Sequence, residues 1–429
     1  MSREMKDSGV EWVGEIPENW NIVPLKRLSK IQTGSSPDKK EGNNNYSDES
    51  GIPWIKAENL GEFSPIHSTA EYLTENGRKL GRIYPPYTVY VCCIASIGKV
   101  GFSDIECSCN QQINGLNFNN TVNWKFGFYE TIASSIEHIA RSNKSVTPIL
   151  NTTEEGNIKF AIPSPTEQQQ IVHFLDRKCT AIDTAIEKTK KSIEKLEEYK
   201  KAVITKAVTK GIDPNAKMKD SGVEWIGEIP EDWEVKQLRT YFSRRINKNI
   251  YLQENNLLSL SYGHIVRKNI DTKEGLLPES FDGYNIVEDG DIVIRGTDLQ
   301  NDHRSLRTGL VTERGIITSA YITLKPKEDV NSAYYHYLLH CYDISKVFYS
   351  MGGGLRQSLD YWEFIRMPVI HPTAREQEEI ISYIKTKYTA IDAAIEKKKK
   401  AIEKWEEYKK SLIYYAVTGK IDCKNEVIE

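Results

Sequence analysis

The chain has 429 residues, a formal net charge of −3, 39% hydrophobic residues and 27% charged residues. This length allows roughly two to four domains, and the composition supports a packed core and excludes a wholly disordered chain. A slightly acidic chain lacks the usual charge signature of a nucleic-acid-binding protein, so any DNA surface has to be local. No apolar run approaches the ~18 residues of a membrane span, and no apolar signal segment follows the first methionine, so we expect a cytoplasmic protein.

Two passages of the chain occur twice. A short repeat reads MKDSGVEWVGEIPENW at 5–20 and MKDSGVEWIGEIPEDW at 218–233. A helical repeat, TAIDTAIEKTKKSIEKLEEYKKAVITKAVTKGID at 180–213, returns at 389–422 as TAIDAAIEKKKKAIEKWEEYKKSLIYYAVTGKID. Two units in tandem, about 5–213 and 218–422, imply two similar folds related by a pseudo-twofold axis.

Apolar residues in each helical repeat recur in alternating steps of four and three, which predicts a coiled-coil face. The predicted coiled-coil residues are Leu175, Ile182, Ile186, Ile193, Leu196 and Val203 in the first copy and Ile384, Ile391, Ile395, Ile402, Trp405 and Leu412 in the second. The same stripe is interrupted at matching positions by Thr189 and Lys398, and by Lys200 and Lys409.

The simplest partner for each helix is the other helix of the same chain. Packing on the neighbouring globular domain, or pairing with a second copy of the chain, are the alternatives. Prolines at 163, 165 and 372 mark the predicted helix starts, and Gly211 and Gly419 mark the predicted ends. Each helix is expected to have about 40 residues and to be roughly 60 Å long.

Two unlike inserts, about 21–165 and 234–371, separate the repeated passages. Both alternate short apolar or β-branched runs with turns, which predicts an α+β fold with curved sheets. The predicted domains are 1–165, a first long helix at 166–213, a second domain at 214–371, and a second long helix with a tail at 372–429. The scaffold is thus duplicated and the parts that it carries are diversified.

Motifs for catalysis are absent or weak. Tyr84-Pro85-Pro86-Tyr87 is similar to the catalytic loop of amino-methyltransferases, but it begins with tyrosine and no glycine-rich methyl-donor motif precedes it. No P-loop and no H-E-x-x-H pattern is present. We therefore expect no catalytic residues, with a methyltransferase site at Tyr84 to Tyr87 as an unfavoured alternative.

The cysteines do not form a disulfide framework. Cys92, Cys93, Cys107 and Cys109 lie in apolar runs without C-x2-C spacing, so we expect buried structural cysteines and no metal site, with metal ligation as the weaker alternative.

Basic and amide side chains, which can hold phosphates and read base edges, are concentrated in the inserts. Residues 236–275 carry eight basic against three acidic side chains. The candidate DNA contacts of the first insert are Lys39, Lys40, Asn44, Lys56, Lys99, Gln111, Arg141 and Lys144. Those of the second are Arg244, Arg245, Lys248, Arg267, Lys268, Lys273, Arg295, Gln300, Asn301, Arg304, Arg307, Arg356 and Gln357. For each of them a solvated loop residue is the alternative.

Together these motifs resemble the specificity (S) subunit of type I restriction-modification systems. The resemblance covers essentially the whole chain. It rests on the G-x-I-P-x-x-W passages at 14–20 and 227–233, on I-P-x-P-x-E-Q at 162–168, on the TAID…IEK…EEYKK helices, and on GDIVIRGTDLQNDHRSLR in the second insert. The second helix departs from the pattern, since MPVIHPTAREQ carries extra residues before Arg375.

The resemblance implies two target recognition domains separated by an intramolecular antiparallel two-helix coiled coil. Each domain would read one half of a split, asymmetric site in double-stranded DNA. The repeats would dock two methyltransferase (M) subunits, and motor-nuclease (R) subunits would join them. The chain itself would need no cofactor, because S-adenosylmethionine, ATP and Mg would be bound by the partner subunits. A coil of roughly 60 Å would limit the reach between the domains to under about 18 base pairs. An adaptor protein with a coiled coil and no DNA readout is the alternative outside this family.

Overall fold

The computed structural model describes residues 3–40, 44–143, 145–270, 280–299, 306–351 and 358–423. The chain forms two compact units. Unit 1 combines residues 1–189 with 399–429, and unit 2 contains residues 190–398. Each unit therefore contains one insert, one short repeat and part of both helical repeats. The boundaries between the units fall inside the long helices and not at the helix starts.

The elements of the first insert and its flanks follow one another along the chain. The strands are β1 (Met5–Asp7), β2 (Glu15–Pro17), β3 (Asn21–Pro24), β4 (Ser29–Thr33), β5 (Tyr46–Ser47), β6 (Ile52–Ile55), β7 (Tyr72–Leu73), β8 (Ile83–Tyr84), β9 (Thr88–Cys92), β10 (Val100–Ser103), β11 (Cys107–Cys109), β12 (Ile113–Phe118) and β13 (Lys159–Ile162). The helices are α1 (Leu25–Leu28), α2 (Glu75–Leu80), α3 (Trp124–Ala133), α4 (Ser135–Arg141), α5 (Thr152–Gly156) and the long α6 (Pro165–Lys210).

The second half of the chain repeats this plan with fewer helices between its strands. Its strands are β14 (Met218–Asp220), β15 (Glu228–Pro230), β16 (Glu234–Gln237), β17 (Phe242–Arg244), β18 (Leu258–Ser261), β19 (His264–Arg267), β20 (Asn285–Val287), β21 (Ile292–Ile294), β22 (Thr308–Leu310), β23 (Gly315–Ile317), β24 (Ile322–Pro326) and β25 (Pro368–His371). Its helices are α7 (Ser332–Ile344), α8 (Tyr361–Phe364) and the long α9 (Ala374–Val417).

The two inserts share a topology although they share little sequence. Unit 1 contains an antiparallel sheet in the order β4-β12-β9-β10, and unit 2 contains β17-β24-β21-β22 in the corresponding order. A second antiparallel pair, β8 with β11, corresponds to β20 with β23. The short repeats form equivalent hairpins, and β3 with β13 corresponds to β16 with β25. We call these common elements, together with the two long helices, the frame.

The α+β fold with two mixed domains and two long helices is confirmed. Helix α6 begins at Pro165, where the missing N–H of proline has no intrahelical partner to lose, and α9 begins two residues after Pro372. Gly211 and Gly419, just beyond the helix ends, both have a φ of +74°, which glycine adopts without strain. The predicted starts and ends are therefore correct.

The long helices pack on each other within each unit. In unit 1, the core that contains Leu175 and Ile182 of α6 also contains Leu412 and Ala416 of α9. In unit 2, Ala207 of α6 shares a core with residues of α9 such as Ile384. The beginning of each helix thus packs beside the end of the other, as an antiparallel pair requires.

Two of the polar interruptions of the coiled-coil stripe, Lys200 and Lys409, form equivalent ion pairs. In unit 1, Lys409 Nζ lies 2.6 Å from Asp183 Oδ1 and also 3.3 Å from the centroid of the Phe63 ring. In unit 2, Lys200 Nζ lies 2.6 Å from Asp392 Oδ1. Asp392 is the repeat equivalent of Asp183, and Lys409 that of Lys200, so the same contact occurs twice and defines the same register.

Each short repeat connects the start of one long helix to the end of the other. Trp20 is fully buried, and its Nε1 donates to Glu167 Oε2 of α6 at 3.1 Å; Trp233 makes the same bond to Glu376 Oε1 of α9 at 3.1 Å. A Cβ placed on Gly419, after α9, would lie 3.2 Å from the Trp20 ring. The indole therefore fills the corner between the two helices, which explains why a short passage accompanies each helical repeat.

Trp405 departs from the prediction for the coiled-coil stripe. Its side chain is 40% exposed and lies 6.1 Å from the Tyr408 ring, whereas Ile182, Ile186 and Leu412 are buried. The predicted stripe residues Ile193, Leu196 and Ile402 are half-buried, and Val203, Ile391 and Ile395 are buried. Trp405 is thus more exposed than its stripe neighbours, although Ile186 and Ile395, near the middle of the two helices, are buried.

The two Lys–Asp pairs differ in burial, which predicts unequal contributions to stability. Asp183→Ala leaves the ammonium of Lys409, a residue only 7% exposed, without this carboxylate, and we expect the free energy of unfolding to fall by about 1–3 kcal/mol. The matched Asp392→Ala should cost less than about 1 kcal/mol, because Lys200 stays partly solvated. Urea denaturation of both variants measures the difference, and equal losses would contradict the assigned burial.

A buried carboxyl predicts a pH-dependent stability. Glu130 of α3 accepts a hydrogen bond from the backbone N–H of Ala161 at 3.0 Å, and burial raises its pKa well above 4.5. The unfolded chain ionises Glu130 near pH 4.5 while the folded chain keeps it protonated, so this residue lowers stability as the pH rises above 4.5. Glu130→Gln should therefore melt at a higher temperature than the parent at pH 8, with the gap closing at pH 4.5. A gap independent of pH would show that Glu130 is ionised in the fold.

Candidate nucleic-acid interface

The common frame shows where the two units differ. Between β4 and β8, unit 1 contains β5, β6, β7 and α2; between the corresponding β17 and β20, the described residues of unit 2 contain a short 3-10 helix, Ile250–Leu252, and the β18–β19 hairpin. One strand position is common to both segments, since β6 pairs in parallel with β11, and Leu257, just before β18, bridges in parallel to Ile316 of β23. We call residues 34–82 and 245–284 the variable segments. Many of the predicted DNA contacts fall in them.

The variable segment of unit 1 presents two lysines on an aromatic surface. Lys39 Nζ lies 4.6 Å from the Tyr46 ring centroid and 5.1 Å from that of Trp54, and Lys56 Nζ lies 5.4 Å from Trp54. Both ammonium groups form ion pairs with Glu71. Hydrogen bonds from Lys39 and Lys56 lower the pKa of Glu71, and burial, followed by the charge of Glu71, raises the pKa of Tyr46 to about 12. Two cations share one carboxylate here, so one positive charge is in excess above a platform in which Trp54 is buried and Tyr46 is half-buried.

Further candidates of unit 1 lie beside this platform. Lys99 Nζ donates to the carbonyl of Ala57 at 2.9 Å, next to Lys56, and Gln111 Oε1 accepts from Ser36 Oγ at 2.9 Å. Lys40 is exposed and lies 3.5 Å from Asp38, and Asn44 is exposed with its carbonyl bound by Thr74.

Arg141 is not brought to the platform by any contact. It lies on α4, where its Nε donates to Glu137 at 2.5 Å. Lys144 lies outside the described residues.

The basic residues of unit 2 are mostly held by acidic or carbonyl groups. Arg267 Nε lies 2.8 Å from both carboxylate oxygens of Glu313, and Arg245 Nη2 donates to the buried Asp291 at 2.9 Å. The Arg244 guanidinium lies 5.0 Å from the Tyr361 ring, and Lys248 Nζ donates to the Gly283 carbonyl at 2.8 Å. These contacts place cations at the surface of unit 2 but neutralise part of their charge.

The remaining candidates of unit 2 separate into three groups. Lys268 is exposed and Arg295 is half-buried. Arg307 is fully buried and donates to the carbonyls of Arg295, Thr297 and Asp298, so it braces a loop and presents no donor to solvent. We therefore exclude Arg307 from the proposed DNA contacts. The predicted contacts at Lys273, Gln300, Asn301, Arg304, Arg356 and Gln357 lie outside the described residues.

The sequence interpretation missed the tip of the β18–β19 hairpin. Tyr262 is 86% exposed and has a φ of +47°. Its neighbour Gly263 has a φ of +80°, so both turn residues have positive φ. The signal in the sequence was Tyr-Gly between two alternating runs, which is a weaker hairpin mark than Asn-Gly.

The methyltransferase alternative gains no support from the structure. The Tyr84 hydroxyl is buried and donates to the Gln32 carbonyl at 2.8 Å, and burial raises its pKa strongly. Tyr87 stacks on Trp124 at 5.1 Å. Tyr84-Pro85-Pro86-Tyr87 is thus a turn between β8 and β9 that packs on its own domain.

The cysteines lie in buried positions of the sheets, as predicted. Cys92, Cys107 and Cys109 are fully buried, and burial raises the pKa of Cys107 to about 11. Across the described ranges, no three His, Cys, Asp or Glu side chains gather in a way that could hold a metal ion. In the same residues, no helix is long and apolar enough to cross a membrane.

Comparison with known proteins defines the class of protein. Residues 17–198, which span the first insert and most of α6, match the family described as the type I restriction modification DNA specificity domain. Curated relatives also match the chain. The chain is 29% identical over 281 residues to the MjaX relative and 26% identical over 271 residues to the MjaIX specificity subunit, both from Methanocaldococcus jannaschii. MjaIX is a type I restriction enzyme specificity subunit, and MjaX is provisionally described as one.

These matches cover 64% and 59% of the chain and 62% and 60% of the relatives, so the chain spans about three fifths of the length of the curated relatives that it matches. Two solved structures share the fold at 12% identity. A chain from a structure of type I R-M complex assembly and conformational transition has a TM-score of 0.67 and covers 95% of this chain and 99% of its own. The HsdS subunit of Thermoanaerobacter tengcongensis has a TM-score of 0.51, with 95% and 98% covered. Residues 17–198 thus match the type I restriction-modification specificity family, and the resemblance seen in the sequence motifs is confirmed.

The aromatic platform of unit 1 generates a testable prediction. Glu71→Gln removes the carboxylate that competes with phosphate for Lys39 and Lys56. We expect mixed-sequence duplex DNA to bind about two- to fivefold more tightly at low salt, since an exposed ion pair is worth up to about 1 kcal/mol. The dependence of affinity on salt should steepen, because each further phosphate contact releases counterions.

The matched control is Glu106→Gln, which frees Arg78 of the same unit from an exposed ion pair outside the platform. Fluorescence anisotropy over a salt series measures both variants. If Glu71→Gln leaves affinity and slope unchanged, or only matches the control, the platform does not contact phosphate.

Proposed function

We propose that the chain is a non-catalytic subunit that provides DNA sequence specificity to a type I restriction-modification complex. Each globular domain would read one half of a split, asymmetric site in double-stranded DNA. The single observation that carries this proposal is the pairing of a common frame with unlike variable segments. A protein that reads two different half-sites needs two different reading surfaces, and a common frame would hold both of them in equivalent positions.

The charges of the described residues support DNA as the ligand. The chain as a whole is slightly acidic, yet the variable segment of unit 1 places Lys39 and Lys56 against Tyr46 and Trp54, two rings in edge-to-face contact. The variable segment of unit 2 contains Arg267 and Lys268 at the foot of a hairpin. Local cations beside planar side chains suit phosphate contacts combined with base-edge readout.

The long helices support a second part of the proposal, namely that they set the distance between the two half-sites. Helices of 46 and 44 residues correspond to about 69 and 66 Å at 1.5 Å per residue. The equivalent Lys–Asp pairs and Trp–Glu bonds define the register of the helix pair, so the spacing would not slide. The same repeats would dock two M subunits, and R subunits would complete the complex. S-adenosylmethionine, ATP and Mg would be bound by these partners.

The proposal predicts modular methylation. The chain, co-expressed with the M subunit of its host in cells that lack other DNA methylation, should direct adenine methylation to one split, asymmetric motif. Exchange of 21–165 for the corresponding insert of another family member should change one half of that motif and leave the other half and the spacer intact. Modification-sensitive sequencing of genomic DNA gives the motif directly.

The outcomes separate the alternatives. If the unmodified chain directs no methylation to a split motif, the specificity function is wrong. If the exchange changes both halves, the domains do not read independently. An adaptor protein without DNA readout would copurify with a partner and yet show no steep dependence of DNA affinity on salt.

A further inference from the structure

The β18–β19 hairpin is the principal addition of unit 2 to the common frame. It lies in the variable segment, where unit 1 instead contains β5, β6, β7 and α2. Its register joins Leu258 to Arg267 and Ser261 to His264, so the connecting loop is the two-residue turn Tyr262-Gly263. The element that distinguishes this unit is therefore a short two-stranded ribbon with a tyrosine at its tip.

The tip residue is unfavourable for the turn that it forms. A two-residue turn with positive φ at both positions favours Asn, Asp or Gly, because a Cβ is strained in this region. Tyr262 has a φ of +47° and is 86% exposed, so its ring gains little from packing. An exposed aromatic residue with a strained backbone at a hairpin tip stabilises the fold less than Asn would at the same position. Such positions are frequent at functional sites.

The two faces of the ribbon differ in chemistry. The inner face carries Leu260 and Ile265, whose side chains pack so closely on Gly309 of β22 that a Cβ there would lie 2.6 and 2.8 Å from them. The outer face carries Ser259, Ser261, His264 and Val266, and the last two are exposed. One face thus anchors the ribbon to the sheet, and the other offers hydroxyls, an imidazole and a small apolar group.

The chemistry of the outer face suits base edges in duplex DNA. The major groove admits a two-stranded β-ribbon, hydroxyl and imidazole groups bind its donors and acceptors, and a small apolar side chain can contact a thymine methyl group. The ribbon and its flanks, 257–270, contain Arg267 and Lys268 and no acidic residue. A polar outer face with basic residues at its foot favours DNA over a protein partner, because serine and lysine are depleted in protein–protein interfaces.

We propose that the β18–β19 hairpin enters the major groove of one half-site and that Tyr262, with Ser261 and His264, reads base edges there. Arg267 and Lys268 at its foot contact flanking phosphates, and Arg267 exchanges Glu313 for phosphate on binding. This inference rests on the proposed function, since it assigns the reader of one of the two half-sites.

The test uses one substitution that should keep or raise the stability of the fold and lower the sequence preference. Tyr262→Asn creates Asn-Gly, the preferred turn sequence, so the melting temperature of the chain should stay the same or rise. Methylation by the assembled complex should nevertheless relax at one or more positions of a single half-site, with a roughly five- to hundredfold fall in preference for the original base. Tyr262→Phe, which keeps the ring, separates the ring from the hydroxyl group.

Asp329→Asn is the matched control. Asp329 belongs to the same unit, is exposed and has a φ of +60°, but lies outside the variable segment. It should leave both half-sites and the spacer unchanged. Melting curves and modification-sensitive sequencing are measured for every variant.

Several results would overturn the assignment. If Tyr262→Asn keeps the complete motif, or if Asp329→Asn relaxes the same positions, the hairpin is not the reader. If Tyr262→Asn abolishes copurification with the M subunit, the tip is a protein-docking element. A parent complex that methylates no split motif refutes the proposed function itself, which is a distinct outcome.

Discussion

The pairing of the two helical repeats is the contact on which the other features of this chain depend. Within each unit, the start of one long helix packs beside the end of the other, and both contribute to the core of the globular domain. The Lys–Asp pairs define the register, since the same two repeat positions meet in both units, once as Asp183 with Lys409 and once as Asp392 with Lys200. Trp20 and Trp233 then attach each short repeat to a glutamate at a helix start.

The two units share the common frame and differ in their variable segments. The four-stranded sheets, the β8–β11 and β20–β23 pairs and the short-repeat hairpins recur in both units with the same order, although the inserts share little sequence. The variable segments are attached to this frame at one topological position. The segment of unit 1 also reaches the helix pair, since Phe63 lies against Lys409. If the domains read DNA as proposed, a frame of this kind would allow one reader to change while the other is kept.

Much of the frame could be predicted from the sequence because it rests on local periodicity and on repetition. The coiled-coil stripe, the prolines at the helix starts and the glycines at the helix ends all lie in short windows of sequence. Trp405 is 40% exposed although its heptad position lies on the stripe, because spacing alone does not show how far a large side chain is covered. The common topology of the inserts was hidden as well, since strand order depends on pairings between distant residues that the two inserts make with different side chains.

The candidate contact residues were less predictable for the same reason. Composition identified Lys39, Lys56 and Arg307 as donors but could not show the direction of their side chains. Glu71 is far from Lys39 in sequence and yet holds it on the aromatic platform, whereas Arg307 points inward to backbone carbonyls. Tyr262 was missed because Tyr-Gly is a weaker hairpin signal than Asn-Gly, and the backbone angles place it at a turn. Whether a donor side chain faces solvent or the protein interior depends on tertiary contacts, which composition does not show.

Hydroxyl-radical footprinting of the assembled complex on DNA that contains its methylated motif tests the central claim most directly. Two unlike readers on one duplicated frame predict two separate protected segments of different sequence, divided by a spacer that stays accessible on at least one face. A single protected segment, or continuous protection with no boundary between the halves, would contradict the account.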